Sequence, residues 1–265
     1  MRRFRALPSR VTLSATGSYS PMPSGVRRSA STPRAINWAR TASARIRDSD
    51  EEVFGELRVT TTFGFGTLWL APRLTKLYEQ YPDLKIDLML EERVLDLPMR
   101  EADVAIRMKE PSQADLIRKR LMTVKMRLYA SRAYLDRNGT PEQLSDISQH
   151  RLICQNPRSA QVGSAAVLVQ KLMTHNPLSL LTVNNYYGVL QGVSHDLGIG
   201  VLPDYVTEDS PDLVQILHSD QAGEVPVYLA YPEELRHSRR ISAFRDFVQN
   251  EIIAHRKHLK ELGKL

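Results

Sequence analysis

The chain has one cysteine, Cys154. No intrachain disulfide can form, and nothing in the cysteine content points to an oxidising compartment; a reduced cytoplasm is expected. It also lacks any run approaching the roughly 20 consecutive apolar residues that a membrane-spanning helix needs, so no span and no membrane partner are expected. Local signatures of catalysis are missing as well. There is no G-x-S-x-G, no Walker loop and no H-E-x-x-H, and Gly64-x-Gly66 lacks the third glycine of a dinucleotide turn. His150 and Cys154 stand four apart, yet two ligands without a third and fourth do not make a zinc site. His195-Asp196 is an isolated pair on a predicted helix, and His255 and His258 lie in a lysine-rich terminal helix. An enzyme is therefore disfavoured, and neither a cofactor nor a metal is expected.

Acidic residues are absent from the first 47 positions, which hold ten arginines and no lysine. That stretch carries +10 against +6 for the whole chain, so the remainder carries −4. A mildly acidic body lacks the basic footprint that binding a polyanion requires, and any intrinsic attraction to DNA would reside in the tail. Residues 1–54 are rich in Ser, Arg, Pro and Thr, and segments such as Pro21-Met22-Pro23-Ser24-Gly25 sustain neither helical nor strand periodicity. They are read as a disordered basic extension. An unstructured extension or a mis-called start of the reading frame is weighed above an organelle-targeting segment. The spacing of Ile36, Ala39, Ala42 and Ile46 permits a helix over 33–54.

Order is predicted from Gly55 onward. Leu57, Val59 and Thr61 alternate with Glu56, Arg58 and Thr60, the period of a strand with one face more buried than the other. Gly64-Phe65-Gly66-Thr67 then turns into a helix with Leu68, Ala71, Leu74, Leu77, Tyr78 and Tyr81 on one side, stopped at Pro82. Ile86, Leu88 and Leu90 mark a second strand, and Ala102 to Ile106 a third. Strand, helix, strand units are the signature of a parallel sheet. A second block follows. Strands are expected at Val124 to Tyr129, Leu178 to Val183, Ile199 to Leu202 and Val225 to Ala230. Tyr187, Leu190, Val193 and Leu197 form a helical stripe ended by Gly198, a residue suited to a left-handed cap. Ile241, Phe244, Val248, Ile252, His255 and Leu259 mark a closing amphipathic helix.

Several segments occur in an order that resembles the effector-binding domain of LysR-type transcriptional regulators. They are Gly55-Glu56-Leu57-Arg58-Val59, Leu70-Ala71-Pro72-Arg73-Leu74 leading to Tyr81-Pro82-Asp83-Leu84, Asp103-Val104-Ala105-Ile106-Arg107, Tyr129-Ala130-Ser131, Gly139-Thr140-Pro141 and Gly198-Ile199-Gly200-Val201-Leu202-Pro203. The resemblance covers about residues 55 to 250. It implies an α/β fold of two lobes, similar to type 2 periplasmic binding proteins, each a mostly parallel sheet flanked by helices. The domain is expected over 55–255, with one lobe at about 55–130 plus 225–255 and the other at 131–224. The resemblance implies a small-molecule effector between the lobes, transcription regulation, and pairing with a second copy or a paralogue through this domain. Family members carry a winged helix-turn-helix and a linker helix ahead of the first strand. Residues 1–54 show no such pattern, and residues 33–54 are expected as a remnant of the linker helix. DNA is thus expected to be reached only indirectly or through a missing N-terminal domain. A free solute-binding protein serving transport is the alternative.

In a two-lobed fold the ligand is expected at the carboxyl ends of parallel strands and against helix amino termini, where unpaired N–H groups attract an anion. The candidates are Thr62, Phe63, Gly64 and Thr67 at the first strand-to-helix turn. Arg107, closing the third strand, offers a guanidinium that could fork onto a carboxylate or serve as an ordinary surface charge. Asn184 and Asn185 would form the second lobe's wall, and Ser131 begins a helix. Each of these three is equally a good helix cap.

Overall fold

The computed structural model describes residues 53–156, 165–175, 177–207, 210–218 and 223–261. The basic extension and most of the expected linker remnant lie outside these residues. The chain opens with strand β1 (Gly55–Thr61), whose Leu57 and Val59 are buried, as their alternation predicts. Helix α1 follows in four pieces: α-helical Phe63–Phe65, a π turn at Gly66–Leu70, a 3-10 turn at Ala71–Arg73 and α-helical Leu74–Gln80. Pro72 has no N–H to give the helical ladder, and the winding changes around it. Then come β2 (Leu84–Leu90), β3 (Val104–Arg107) and the long β4 (Leu116–Ser131). After α2 (Arg132–Asn138) the order is β5 (Arg151–Gln155), α3 (Ala165–Met173), β6 (Ser179–Val183), α4 (Tyr186–Ser194) and β7 (Ile199–Pro203). A 3-10 turn (Asp204–Thr207), β8 (Leu213–Ile216), β9 (Glu224–Pro232) and the helix α5 (Arg239–Glu261) complete it.

The strands form a path β2-β1-β3-β9-β4-β7-β5-β6, with β8 added on β4. Its two lobes share one strand. Residues 116–125 of β4 pair with β9 in the first sheet, and residues 126–131 pair with β7 and β8 in the second. The βαβ units are parallel, β1 with β2 and β3, and β5 with β6 and β7. Strands β4 and β9, which carry the chain across and back, run antiparallel to their neighbours. Both sheets are therefore mixed rather than mostly parallel, because a chain that crosses twice between sheets must run each way once.

A single apolar core runs through both lobes, with Leu57, Trp69, Ile106 and Phe244 in the first and Ile153, Val189, Val201 and Leu202 in the second. Its face toward α5 is pinned by Glu251, which receives Lys76 Nζ at 2.9 Å and lies 3.8 Å from Arg73 Nε. A smaller cluster of Leu95, Leu97, Ala102, Ala105 and Ala230 covers the opposite face of the first sheet.

The expected strand at Val124 to Tyr129 is part of a 16-residue strand. Its first half reads Ile117-Arg118-Lys119-Arg120, whose exposed charges hide the strand periodicity. The left-handed residue after α4 is Asp196, with φ of 58°, and not Gly198. Gly198 is required for another reason. A Cβ there would press on the Arg151 backbone, 2.9 Å from its carbonyl carbon and closer still to the oxygen. Since backbone cannot yield as a side chain can, Gly198→Ala is expected to destabilise by about 1–3 kcal/mol, lowering Tm by roughly 2–4 °C per kcal/mol. Thermal unfolding followed by circular dichroism measures this; an unchanged Tm would show that β5 and β7 can part freely.

Candidate functional site

The carboxyl ends of β1, β2, β3, β5 and β7 converge where β4 and β9 cross between the sheets. Thr62, Glu92, Met108, Gln155, Tyr186, Pro203 and Tyr205 line a small cavity there, backed by Val124, Met126 and Val225. Its free volume is about 20 Å³, roughly the room of one water molecule. The two lobes are closed on each other. Gly64 makes the close approach possible: a Cβ on it would lie 3.3 Å from Tyr186 Cβ and 3.7 Å from the Tyr205 hydroxyl. Phe63 tilts against Tyr187 with ring centres 5.6 Å apart, and Phe65 meets Tyr205 edge-on at 5.6 Å.

The backbone N–H of Phe63, expected as an anion donor, has an anion already. Glu92 Oε1 accepts it at 3.1 Å, and Glu92 Oε2 accepts Gln155 Nε2 from the other lobe at 3.4 Å. The chain's own carboxylate thus bridges the lobes in the position foreseen for a ligand. Burial raises the Glu92 carboxyl above its ordinary value, outweighing the lowering by these two hydrogen bonds. Gln155 Nε2 also donates to the Asn184 carbonyl at 2.9 Å. Its Oε1 is buried without a hydrogen-bond partner among the described residues, as is the Tyr186 hydroxyl. Desolvation and the nearby Glu92 carboxylate raise the Tyr186 phenol well above its usual range, so it stays protonated and able to donate.

Arg107 is not a surface charge. It is 3% exposed, and its Nη1 and Nη2 are buried with no hydrogen-bond partner among the described residues. Desolvation alone pushes its pKa down to about 10, so the guanidinium remains charged at neutral pH. It closes β3 next to Met108 of the cavity. The β1–β3 register pairs Thr60 with Ala105, and continuing it two residues sets Thr62 level with Arg107. Thr60 Oγ1 is likewise buried and unpartnered.

The other expected residues take different places. Thr62 lines the cavity and precedes α1 but makes no side-chain cap bond. Thr67 lies in the π turn with its hydroxyl buried and without a hydrogen-bond partner among the described residues. Asn185 caps α4, its Oδ1 accepting Gly188 N–H at 2.8 Å, while Asn184 Oδ1 accepts Asn185 Nδ2. Ser131 stands away from the cavity. It caps α2 by accepting Tyr134 N–H at 3.1 Å, and its hydroxyl donates to Asp196, which Arg137 also binds. Glu92, Gln155, Tyr186 and Tyr205 were not singled out from the sequence. The one signal for Glu92 was a carboxylate just past the end of a strand, at the carboxyl edge of the sheet. Among the described residues no cluster of His, Cys, Asp and Glu could hold a metal ion, and no helix is long and apolar enough to cross a membrane. Cys154 is buried, its thiol raised to about 11.

Comparison with known proteins places this geometry. An HTH-type transcriptional regulator of Haemophilus influenzae is 23% identical over 194 residues, 72% of this chain and 67% of that protein. The regulator CrgA of Neisseria meningitidis is 31% identical over 99 residues, 37% of this chain and 33% of that protein. The chain thus spans between about a third and two thirds of these relatives. The CrgA regulatory domain, solved alone, superposes with a TM-score of 0.64 at 23% identity, covering 75% of this chain and 99% of that one. The longer CrgA structure gives a TM-score of 0.66, covering 83% and 76%. At such identities the likeness establishes the fold. The profile of the LysR substrate binding domain matches residues 50–252, from ahead of β1 into α5 and through every cavity residue, and the chain belongs to that family.

Proposed function

We propose that this domain senses a small organic effector carrying an anionic group, bound between the lobes, and that its occupancy regulates transcription in the cytoplasm. The observation that carries the reading is Arg107. A buried guanidinium with both terminal nitrogens unpaired costs stability in the empty protein, and an effector's carboxylate or other anion offsets that cost. Thr60 and Thr62 supply hydroxyls beside it. Gln155 Oε1 and the Tyr186 hydroxyl are left to meet the effector's remaining polar groups. We see the Glu92 bridge to Phe63 and Gln155 as the latch of the empty state, which an effector must open because the cavity has room for about one water. Ligand acts only through unequal affinity for the latched and opened states.

The relatives are named HTH-type transcriptional regulators, which favours regulation over solute transport or catalysis. Reaching DNA is then the task of a helix-turn-helix module outside the described residues, in this polypeptide or in a paired paralogue. Pairing is supported by edge strand β6, which exposes Leu180 and Leu181 beside the exposed Leu178. Such an edge invites a second chain.

Two substitutions separate this reading from a purely structural one. Arg107→Met removes an unpaired buried charge and is expected to raise the Tm of the ligand-free protein, by about 1–3 kcal/mol of stability. The same change abolishes stabilisation by an anionic metabolite that binds between the lobes, one whose thermal-shift effect survives charge reversal at Arg120 and Arg256 outside that cavity. A fall in Tm, or an intact ligand response, would refute the role of Arg107. For Glu92 the folded-state carboxyl lies above the ordinary 4.5. Its protonated form is favoured on folding, so its contribution is present below pH 4.5 and is lost as the pH rises through the raised value. The Tm of Glu92→Gln minus that of the unsubstituted protein is therefore expected to grow from pH 4 to pH 8. A difference flat across that range would show that burial of the charge costs nothing.

A further inference from the structure

Behind the crossing strand lies a second hollow, bounded by β4, the Asp204–Thr207 turn and the last turns of α5. Its volume is about 380 Å³, within the range of small-molecule sites, about 300–1,000 Å³. Its inner wall is apolar, made by Leu121, Met122, Val124, Tyr205 and Leu259. Its charge is lopsided. Arg120, Lys125 and Arg256 contribute three cations, against one carboxylate, Asp204. That carboxylate accepts the Lys125 backbone N–H at 3.2 Å, and burial pushes its pKa up. His255, which also lines the hollow, packs edge-on to Trp69 and is held neutral by burial and the nearby Arg73 and His258, its pKa lowered to about 4.

Two features make the hollow more than a surface dent. The register of β4 against β9 shifts between Arg120 and Met122, leaving Leu121 out of the regular ladder within the stretch that lines it. Val124 and Tyr205 are shared walls, facing both this hollow and the cavity between the lobes. A ligand on one side therefore rests on the same two side chains as a ligand on the other.

We propose that this hollow is a second binding site, taking a small organic anion with a flat apolar body, such as an aromatic carboxylate or sulfonate. The apolar body lies on Leu121, Val124 and Leu259, and the anionic group sits at the rim between Arg120 and Arg256. The site does not depend on the Arg107 reading and fails or stands separately from it.

The probe is 8-anilinonaphthalene-1-sulfonate, titrated into the full chain by fluorescence, with uncharged N-phenyl-1-naphthylamine as its neutral counterpart. Saturable binding of one sulfonate per chain is expected, with the neutral compound weaker. The double substitution Arg120→Glu with Arg256→Glu is expected to weaken sulfonate binding roughly tenfold with the circular dichroism spectrum unchanged. Arg107→Met is expected to leave it unaltered. Should the double variant fail to fold, Arg256→Gln on the exposed side of α5 tests the same contact, with a roughly threefold loss expected. Sulfonate affinity indifferent to these charges, equal affinity for the neutral compound, or loss in Arg107→Met instead would overturn the proposal.

Discussion

One strand serves two sheets. β4 gives its first ten residues to β9 and its last six to β7 and β8, so neither lobe can complete its hydrogen-bonded ladder without the other. Because backbone groups buried without partners are costly, this strand and the returning β9 must stay paired at any lobe spacing. Movement between the lobes is then confined to the crossing itself, where the pairing of β4 passes from β9, at Lys125, to β7, at Met126. Placing the polar residues of the cavity at that point puts them where a small change in spacing has the most effect.

The electrostatics of the crossing follow the same logic. Glu92 holds the lobes together from the carboxyl edge of the first sheet, by way of one backbone N–H and one amide from the opposite lobe. Arg107, at the end of β3 two strands away from β2, has both terminal nitrogens buried with no hydrogen-bond partner among the described residues. A domain selected for stability alone would carry neither an unpaired guanidinium nor a carboxylate whose burial raises its pKa. Both groups sit at the strand ends toward which a ligand is drawn in folds of this class.

Much of the fold was legible in the sequence because its signals are local. Alternation at Leu57, Val59 and Thr61 and the Ile241 to Leu259 stripe each report their own element. The helix before Pro82 was placed, but its buried side is Phe65, Trp69, Leu70 and Leu77, while Ala71 and Tyr78 of the expected side are exposed, because the π and 3-10 turns break the 3.6-residue period. What stayed hidden was long-range. The charged start of β4 carries no period that marks a strand, and its membership in two sheets has no local signature. The Leu152-Ile153-Cys154 run of β5 was too short to arbitrate between helix and strand. At the site, Thr62 lines the cavity, and Phe63 and Gly64 follow it at the turn where a strand gives way to a helix. Glu92 and Gln155 could not be found that way, since their importance lies in a contact across 63 positions of chain. The burial of Arg107 was equally invisible, because it depends on a strand distant in sequence, β9, whose Tyr228 pairs with it.

The central claim is that the crossing between the lobes is where an effector is felt. Hydrogen exchange with mass spectrometry, run on the full chain with and without an anionic metabolite that raises its Tm, measures this directly. The account predicts altered exchange at Phe63, at residues 120–126 of β4 and at 223–226 leading into β9, with the ends of both sheets distant from the crossing unchanged. A ligand that alters exchange only at the far ends of the sheets, leaving those segments as they were, would contradict it.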